Sequence, residues 1–343
     1  MNNNLGSIKN IGGAFSLLDT DPFMGATGDF SNYFPEILHQ SSKRVFLETG
    51  VDAMAYIIRG IIAEKNIKEV FFPIHYCQDS IERLKNKVKN IRINRYENPD
   101  ELLNRSEPAV IIWNHFNKYV SPPSKILAKT NLIIIEDFVQ APLDMMKSKS
   151  AYCFNSLRKF CNLELAVCYT DSSKKIQVSD KPSSYYLEKK NAQIIKHYFQ
   201  KTGFTELEEK YLDCFKQAEK KTTSSYIVKA FITEIAKLHH IDFGAIHSNR
   251  LKNYAYLSKV IQSIKKIKLL KGDYMYLIID SKYRNELRNH LMKEHIFTAI
   301  HWADSFDKEK ANSYLSIHID HRYQINDLKK IAASFLSYAE FGQ

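Results

Sequence analysis

Residues 131–160 read NLIIIEDFVQAPLDMMKSKSAYCFNSLRKF, and this stretch decides the fold class that the sequence predicts. It opens with four apolar residues, Leu132 to Ile135, which are followed by the acidic pair Glu136-Asp137. A short apolar run between polar residues is typical of a buried strand. Open α/β sheets bind their ligands at the carboxyl ends of such strands. The stretch therefore predicts a buried strand that delivers a carboxylate to a ligand site.

A serine and a lysine follow this carboxylate at a short distance along the chain. They are Ser156 and Lys159, with Arg158 beside the lysine. A lysine can form a Schiff base with a carbonyl group, an aspartate can bind a pyridinium nitrogen, and a serine can bind a phosphate. Pyridoxal 5'-phosphate (PLP) presents all three groups, so this combination of residues predicts a PLP site with Asp137 as its acidic member.

On both sides of this stretch, strand-like and helical segments alternate from residue 44 to about residue 138. This alternation is typical of a doubly wound α/β domain with a largely parallel sheet. Later segments predict helices over 226–239 and 245–265. A tail of the order strand–helix–strand–strand–helix follows, with strands at 274–280, 297–301 and 314–319. A further short helix is predicted at 308–312, between the last two of these strands. We therefore predict an N-terminal arm (1–35), a large domain (36–240) and a small C-terminal α/β domain (241–343).

Composition indicates an ordinary globular protein, because 44% of its 343 residues are apolar and 25% are charged. No apolar run approaches the roughly 18 residues that span a bilayer, and the N-terminal MNNNLGSIKN does not resemble a signal peptide, so we expect a cytoplasmic protein without a membrane segment. The net charge of +11 comes from lysines spread along the chain, which predicts a solvated surface or an anionic substrate rather than nucleic acid. Five cysteines without a CxxC pair predict reduced thiols and no metal site.

A second phosphate-binding feature is predicted near the start of the large domain. The turn Thr49-Gly50 precedes residues 51–66, whose apolar positions recur at helical spacing. Free N–H groups at a helix N-terminus bind phosphate well. The alternative is that Thr49 simply caps an ordinary helix.

The order of these sites resembles the DegT/StrS-type PLP-dependent aminotransferases. The matching segments are IEDFVQA (135–141), FNSLRK (154–159), the Thr49-Gly50 turn and SIHIDHRY (316–323). The resemblance extends from about residue 12 to residue 333. It implies the type I fold of PLP-dependent transferases, in which a large domain with a mostly parallel seven-stranded sheet flanked by helices carries a smaller C-terminal α/β domain. It also implies a homodimer with shared active sites.

The resemblance further implies roles for individual residues. Lys159 would form the Schiff base and act as the catalytic residue, while Asp137 would hold the pyridine nitrogen protonated. Gln140 would lie near the ring or its phenolic oxygen, and Ser156 would bind the phosphate. The other residues implied at the site are Thr49, Gly50 and the N–H groups of Asp52 and Ala53 at the phosphate, Tyr76 or His75 over the cofactor ring, and His115, Arg322 and Tyr323 near the substrate.

One segment departs from the family pattern, because residues 161–166 (CNLELA) contain no glycine where the family has a glycine pair. The activity that the resemblance implies is transfer of an amino group, from glutamate, to a keto sugar linked to a nucleotide, in the synthesis of surface polysaccharide or a related glycoconjugate. Two alternatives stay open at this point. One is a different PLP reaction on a small non-sugar substrate, and the other is a non-catalytic PLP-fold scaffold or regulatory subunit.

Overall fold

A computed structural model of the chain describes residues 11–12, 28–39, 42–221, 224–265, 267–270, 272–301 and 312–341. Most of the predicted N-terminal arm lies outside the described residues. The same holds for the predicted short helix at 308–312, of which only residue 312 is described.

A seven-stranded sheet forms the centre of the fold, in the order β1-β7-β6-β5-β4-β2-β3. Strands β3, β2, β4, β5 and β6 run parallel, and β7 runs antiparallel to both of its neighbours, β6 and β1. This confirms the predicted, mostly parallel seven-stranded α/β sheet. The strands are β1 (Lys43–Leu47), β2 (Glu69–Pro73), β3 (Arg92–Tyr96), β4 (Ala109–Asn114), β5 (Leu132–Asp137), β6 (Tyr152–Phe154) and β7 (Ala166–Thr170).

A smaller, antiparallel sheet of three strands follows in the last third of the chain, in the order β10-β9-β8. Its strands are β8 (Lys268–Leu270), β9 (Tyr276–Asp280) and β10 (Tyr314–His318). The described helices are α1 (Phe30–Tyr33), α2 (Gly50–Glu64), α3 (Gln78–Lys87), α4 (Ser124–Leu127), α5 (Ser184–Thr202), α6 (Glu206–Lys220), α7 (Ile232–Leu238), α8 (Phe243–Gln262), α9 (Arg284–Lys293) and α10 (Ile325–Phe341).

Strand β5 is buried on both faces, which explains its continuous apolar run. Ile133 and Ile135 pack into the core beneath α2, whereas Leu132 and Ile134 pack into a separate cluster on the opposite face of the sheet. Burial of each such side chain contributes roughly 2 kcal/mol to folding. The strand that ends at Asp137 is therefore firmly fixed within the sheet.

The helix predicted over 226–239 begins only at Ile232, as α7, and the segment before it pairs with the sheet instead. Glu48 donates its backbone N–H to the Val228 carbonyl (2.9 Å), and Ala230 donates to the Phe46 carbonyl (3.2 Å). Because β1 is an edge strand, its outer backbone groups need partners, and this requirement overrides the local preference for helix.

Smaller differences concern the three-stranded sheet and the helices. Strand β8 was not predicted, and the strand predicted at 297–301 is reduced to one bridge between Ala299 and Ser316. Among helices of the described residues, none combines the length and apolar character that a membrane-spanning segment needs.

A buried carboxyl group joins the end of β1 to the start of α5. Glu48 is 3% exposed and accepts hydrogen bonds from the Ser183 N–H (3.1 Å) and from the Ser183 hydroxyl. Burial raises the pKa of Glu48 to about 7, and the bonds from Ser183 oppose this only in part. The nearby acids Asp52 and Glu164 raise the pKa further.

This raised pKa makes folding stability depend on pH near neutrality. A carboxyl group with a raised folded-state pKa stabilises the fold while it is protonated, and this contribution is lost as the pH rises through about 7. As the pH rises from 5 to 8, we expect the wild type to lose on the order of 2 kcal/mol of unfolding free energy that the Glu48→Gln variant keeps, because glutamine does not titrate. Urea denaturation at several pH values measures this difference. Parallel pH profiles of variant and wild type would contradict it, and Glu107→Gln at an exposed position is the control.

Candidate active site

A cavity of about 610 Å³ opens at the carboxyl ends of the central parallel strands. Asn114, Asp137 and Phe154, at the ends of β4, β5 and β6, line it beside the first turn of α2. The opposite wall comes from the C-terminal part of the chain. This volume suits a small-molecule ligand, and the position is the usual one for ligands of open α/β sheets.

Asp137 ends β5 and presents a buried carboxylate to this cavity. It is 4% exposed, and its Oδ2 accepts a hydrogen bond from the Tyr76 hydroxyl at 2.6 Å. Its Oδ1 accepts the Val139 N–H at 2.8 Å. Burial raises the pKa of Asp137, against the smaller lowering effects of these two bonds and of the Lys159 charge. A cation bound in the cavity would favour the ionised carboxylate.

Ser156 and Gln140 supply polar oxygens that have no protein partner. The Ser156 Oγ and the Gln140 Oε1 are buried, line the cavity and find no hydrogen-bond partner within the described part of the chain. A buried polar atom without a partner is costly, which indicates that a ligand completes these bonds.

The start of α2 lies directly against Ser156. A Cβ at Gly50 would stand 3.2 Å from the Ser156 Cβ and 3.4 Å from the Val139 Cγ2. Glycine at this position allows the helix N-terminus to approach the serine closely. A serine hydroxyl beside a helix N-terminus is a suitable site for an anion.

The first turn of α2 corrects one prediction. The Asp52 N–H donates to the Thr49 Oγ1 (3.1 Å), and the Ala53 N–H donates to the Thr49 carbonyl (3.0 Å). Both groups are thus used inside the helix, because α2 begins at Gly50 and the Ala53 bond is its first intrahelical bond. Gly50 and Val51 line the cavity in their place, while Thr49 both lines it and caps the helix.

Lys159 ends the 3₁₀ turn Leu157–Lys159 and lines the same cavity. Its backbone carbonyl accepts a hydrogen bond from the His318 Nε2 at 2.8 Å. The next carbonyl, that of Phe160, accepts from the fully buried Arg250 at 2.6 Å. Residues of the C-terminal part therefore fix the backbone at the lysine.

Of the two candidate aromatic residues, only Tyr76 is placed at the cavity. Its ring packs on Phe72 with 4.9 Å between centroids, and its hydroxyl reaches Asp137. Burial raises the pKa of Tyr76 well above its ordinary value, so the hydroxyl stays a donor. His75 is half-buried and does not belong to the described lining of the cavity.

The predicted substrate residue His115 lies elsewhere. It is fully buried, its Nε2 lies 2.9 Å from the Glu136 Oε2, and its ring stacks on Phe138 at 4.0 Å. Asn114 pairs with Asp137 in the register of β4 and β5 and lines the cavity. Because successive side chains point in opposite directions, His115 turns away from it.

The predicted substrate residues Arg322 and Tyr323 also lie outside the described lining of the cavity. Arg322 forms an ion pair with Asp320 at 2.6 Å. The Tyr323 hydroxyl donates to the His318 carbonyl at 3.1 Å. The segment 316–323 nevertheless reaches the cavity, through His318.

Sequence reasoning missed His318, His301 and Tyr276, which form the wall from the C-terminal part. Alternation along β10 could have indicated His318, because Ile317 and Ile319 are both buried in the core of this part. Burial lowers the pKa of both histidines to about 3, so their rings are neutral. The described residues contain no group of three or more His, Cys, Asp or Glu side chains able to hold a metal ion.

The glycine-free segment 161–166 is packed into the core rather than exposed to the cavity. Leu163, Leu165 and Ala166 are fully buried. The Glu164 carboxylate accepts hydrogen bonds from the Tyr185 hydroxyl (2.9 Å) and from Gln193 (3.1 Å), both on α5. All six residues are described and none has a positive φ, so the backbone here does not require glycine.

Solved structures share this architecture at low sequence identity. Spr1654 of Streptococcus pneumoniae, described as a sugar aminotransferase and solved in its PMP form, matches with a TM-score of 0.63 and 13% identity over 97% of this chain and 98% of its own. DesV of S. venezuelae matches with a TM-score of 0.59 and 14% identity over 96% and 91% of the two chains. A DegT DnrJ EryC1 StrS aminotransferase of Brucella abortus matches with a TM-score of 0.53 and 13% identity over 87% and 86%.

Neither a protein-family model nor a curated protein sequence matches the chain. The structural similarity nevertheless confirms the resemblance to DegT/StrS-type aminotransferases at the level of the fold. It also confirms the predicted type I fold of PLP-dependent transferases.

The surroundings of His115 lead to a prediction about stability. Burial raises the pKa of Glu136, but bonds from His115, Ser148 and the Lys149 N–H lower it more, so the carboxylate depends on these partners. We expect His115→Asn to lower the free energy of unfolding by about 3 kcal/mol, because it removes a partner of a buried charge and a stacked ring.

Urea denaturation measures this loss, with His240→Asn at an exposed position as the matched control. If the variant keeps the stability of the wild type but no longer binds substrate, the result would contradict this structural role and favour a substrate-binding role for His115.

Proposed function

We propose that the protein is a PLP-dependent aminotransferase. The observation that carries this proposal is the convergence, on one cavity, of a lysine, a desolvated carboxylate and an unpartnered serine hydroxyl at a helix N-terminus. These residues are Lys159, Asp137 and Ser156. Each of these three residues would serve a different functional group of PLP.

The residues present fit this cofactor. The Ser156 hydroxyl and the N–H groups of Gly50 and Val51 would hold its phosphate. Asp137 would pair with the protonated ring nitrogen, and the unpartnered Gln140 Oε1 would act near the ring. When bound, the cofactor supplies a carbonyl group that reacts with amines and a ring that accepts electrons.

The chain's own residues would move protons and hold charge in the cavity. In its neutral state, Lys159 would bind the carbonyl carbon of the cofactor through Nζ, with loss of water. Once a substrate amine displaces it, the freed Nζ would act as a general base and move the proton of the substrate. Asp137 would keep a positive charge on the ring nitrogen, because its burial makes an unpaired carboxylate costly. Burial keeps the rings of His301 and His318 neutral, so they add no charge to the wall of the cavity.

The finer part of the proposal concerns the substrates. Two of the similar structures carry names that describe sugar aminotransferases, and the cavity wall contains several cationic side chains. Both observations support a keto sugar linked to a nucleotide as the amino acceptor. Glutamate as donor, a role in surface polysaccharide synthesis and a homodimer with shared sites remain predictions from the sequence resemblance. A cytoplasmic location remains a prediction from the N-terminal sequence and the lack of a long apolar run.

The cofactor assignment has a direct test. We expect the protein reconstituted with PLP to be yellow, and borohydride reduction to attach the cofactor covalently at Lys159. Lys159→Ala should abolish this covalent attachment, whereas Lys149→Ala, at an exposed position in the same stretch, should retain it. A wild-type protein that takes up no PLP would refute the proposed function.

A second experiment tests the role of Asp137. We expect Asp137→Asn to retain PLP but to slow the half-reaction with glutamate by about 100-fold, because the ring loses its charged partner. Stopped-flow absorbance measures this rate, with Asp180→Asn as an exposed control. Keto sugars linked to nucleotides then serve as acceptors. Turnover of only non-sugar acceptors would favour another PLP reaction, and a wild-type protein whose spectrum no amino donor changes would favour a non-catalytic scaffold.

A further inference from the structure

Three cationic side chains surround one carboxylate in the wall of the cavity. The Glu219 Oε1 lies 3.1 Å from the Arg158 Nη1 and 3.3 Å from the Lys189 Nζ, and its Oε2 lies 3.1 Å from the Arg83 Nη2. Arg83 belongs to α3, Arg158 directly precedes Lys159, and Lys189 and Glu219 belong to α5 and α6. We call these four residues the Glu219 cluster. All four line the cavity.

The cluster and its neighbourhood carry an excess of positive charge. Arg83 also pairs with Asp79, at 2.6 Å. Arg95 lines the same cavity and donates to the Pro73 carbonyl and to Gln78, and no carboxylate among the described residues forms an ion pair with it. Four cationic side chains and two carboxylates, those of Asp79 and Glu219, therefore line this wall, which gives it an excess of positive charge.

The cations are held in place before any ligand binds. The Tyr185 hydroxyl accepts a hydrogen bond from Arg158 and donates one to Glu164. The Lys189 Nζ lies 5.2 Å from the centre of the Phe215 ring. The side chains of Arg83 and Lys189 are each 11% exposed. Such fixed, partly desolvated cations bind an anion without first paying for their own ordering.

Glu219 acts as an internal anion in this cluster. Burial raises its pKa, but the charges of Arg158, Lys189 and Arg83 lower it more, to about 2. The carboxylate is therefore ionised at neutral pH. At 38% side-chain exposure it is also the most accessible member of the cluster, so it can turn toward solvent.

We propose that Arg83, Arg158 and Lys189 form a phosphate-binding subsite in the cavity wall, and that the Glu219 carboxylate holds this subsite until a ligand phosphate replaces it. A phosphate group offers three peripheral oxygens and two charges, which matches three converging cations and the local charge excess. A carboxylate, with two oxygens and one charge, matches them less well. The inference rests on the proposed function in one respect, because the ligand enters through the same cavity.

The phosphate has two possible sources. Arg158 lies one residue from Lys159 and two from Ser156, so the phosphate of the cofactor is one source. The wall also extends to α5 and α6, so the diphosphate of a nucleotide-linked substrate is the other. The cofactor presents three peripheral oxygens and two charges on one phosphorus, and a sugar-linked diphosphate presents four non-bridging oxygens and two charges over two phosphorus atoms. Both are phosphate anions of the same total charge, and binding experiments can separate them.

The test measures binding by three protein forms, namely the wild type and the variants Lys189→Gln and Glu219→Gln. Titrations of the apoprotein with PLP and with pyridoxal, which lacks the phosphate, report on the cofactor. Titrations of the PLP-loaded protein with uridine diphosphate and inorganic phosphate report on the substrate side. Lys216→Gln, on the exposed face of α6, is the matched control.

Loss of one charged contact should weaken phosphate binding by about tenfold in Lys189→Gln. Glu219→Gln should strengthen phosphate binding several-fold, and a misfolded variant could not show such a gain. If the cofactor supplies the phosphate, the affinity for PLP changes and that for pyridoxal does not. If the substrate supplies it, the affinity for uridine diphosphate changes and that for PLP does not.

Two results would overturn the subsite: unchanged affinities for all phosphate ligands in both variants, or equal effects in Lys216→Gln. These results are distinct from failure of the proposed function. A wild type that takes up no PLP but binds uridine diphosphate in a manner dependent on Lys189 and Glu219 would refute the aminotransferase and keep the subsite. Normal PLP uptake by the wild type, together with unchanged phosphate affinities in both variants, would keep the aminotransferase and refute the subsite.

Discussion

Desolvation of the Asp137 carboxylate is the constraint on which the rest of the site depends. The carboxylate sits at the end of a strand that is buried on both faces, and it has a tyrosine hydroxyl and one backbone N–H as its close partners. Beneath it, Glu136 is satisfied by His115, Ser148 and two backbone N–H groups. The hydrogen-bonding capacity of Glu136 is thus satisfied within the protein, whereas the Asp137 carboxylate would be stabilised further by a cation. That contrast between adjacent carboxylates defines where a positively charged ring would bind.

Much of the fold follows from local sequence patterns. The apolar run before Glu136-Asp137 specifies a doubly covered strand, and the alternation around it specifies a parallel sheet. Long-range pairing is harder to infer. Residues 227–230 read locally as helix but instead cover the open edge of β1, and β8 is too short, at three residues, to give a clear pattern. Both depend on partners that are distant in sequence.

The site was predictable where residue type and chemistry coincide, as at Asp137, Ser156 and Lys159. It was less predictable where the direction of a side chain decides its role. His115 follows the strand end by a single residue, and that one step turns it from the cavity into the core. Arg322 and Tyr323 lie in the correct segment, but the pleat of β10 presents His318 instead. The cations of the Glu219 cluster come from three separate elements, so that no single motif contains them.

The backbone at Lys159 has a consequence for how the protein is made. Its carbonyl and that of Phe160 are bound by His318 and Arg250, which follow it by 159 and 90 residues along the chain. During synthesis the ribosome completes the central sheet long before either partner emerges, and domains generally fold as they appear. The lysine turn must therefore wait, incompletely tethered, until the chain has been translated beyond His318. Completion of the cavity around Lys159 is in this sense a late event, coupled to β10 rather than to the seven-stranded sheet that carries Asp137.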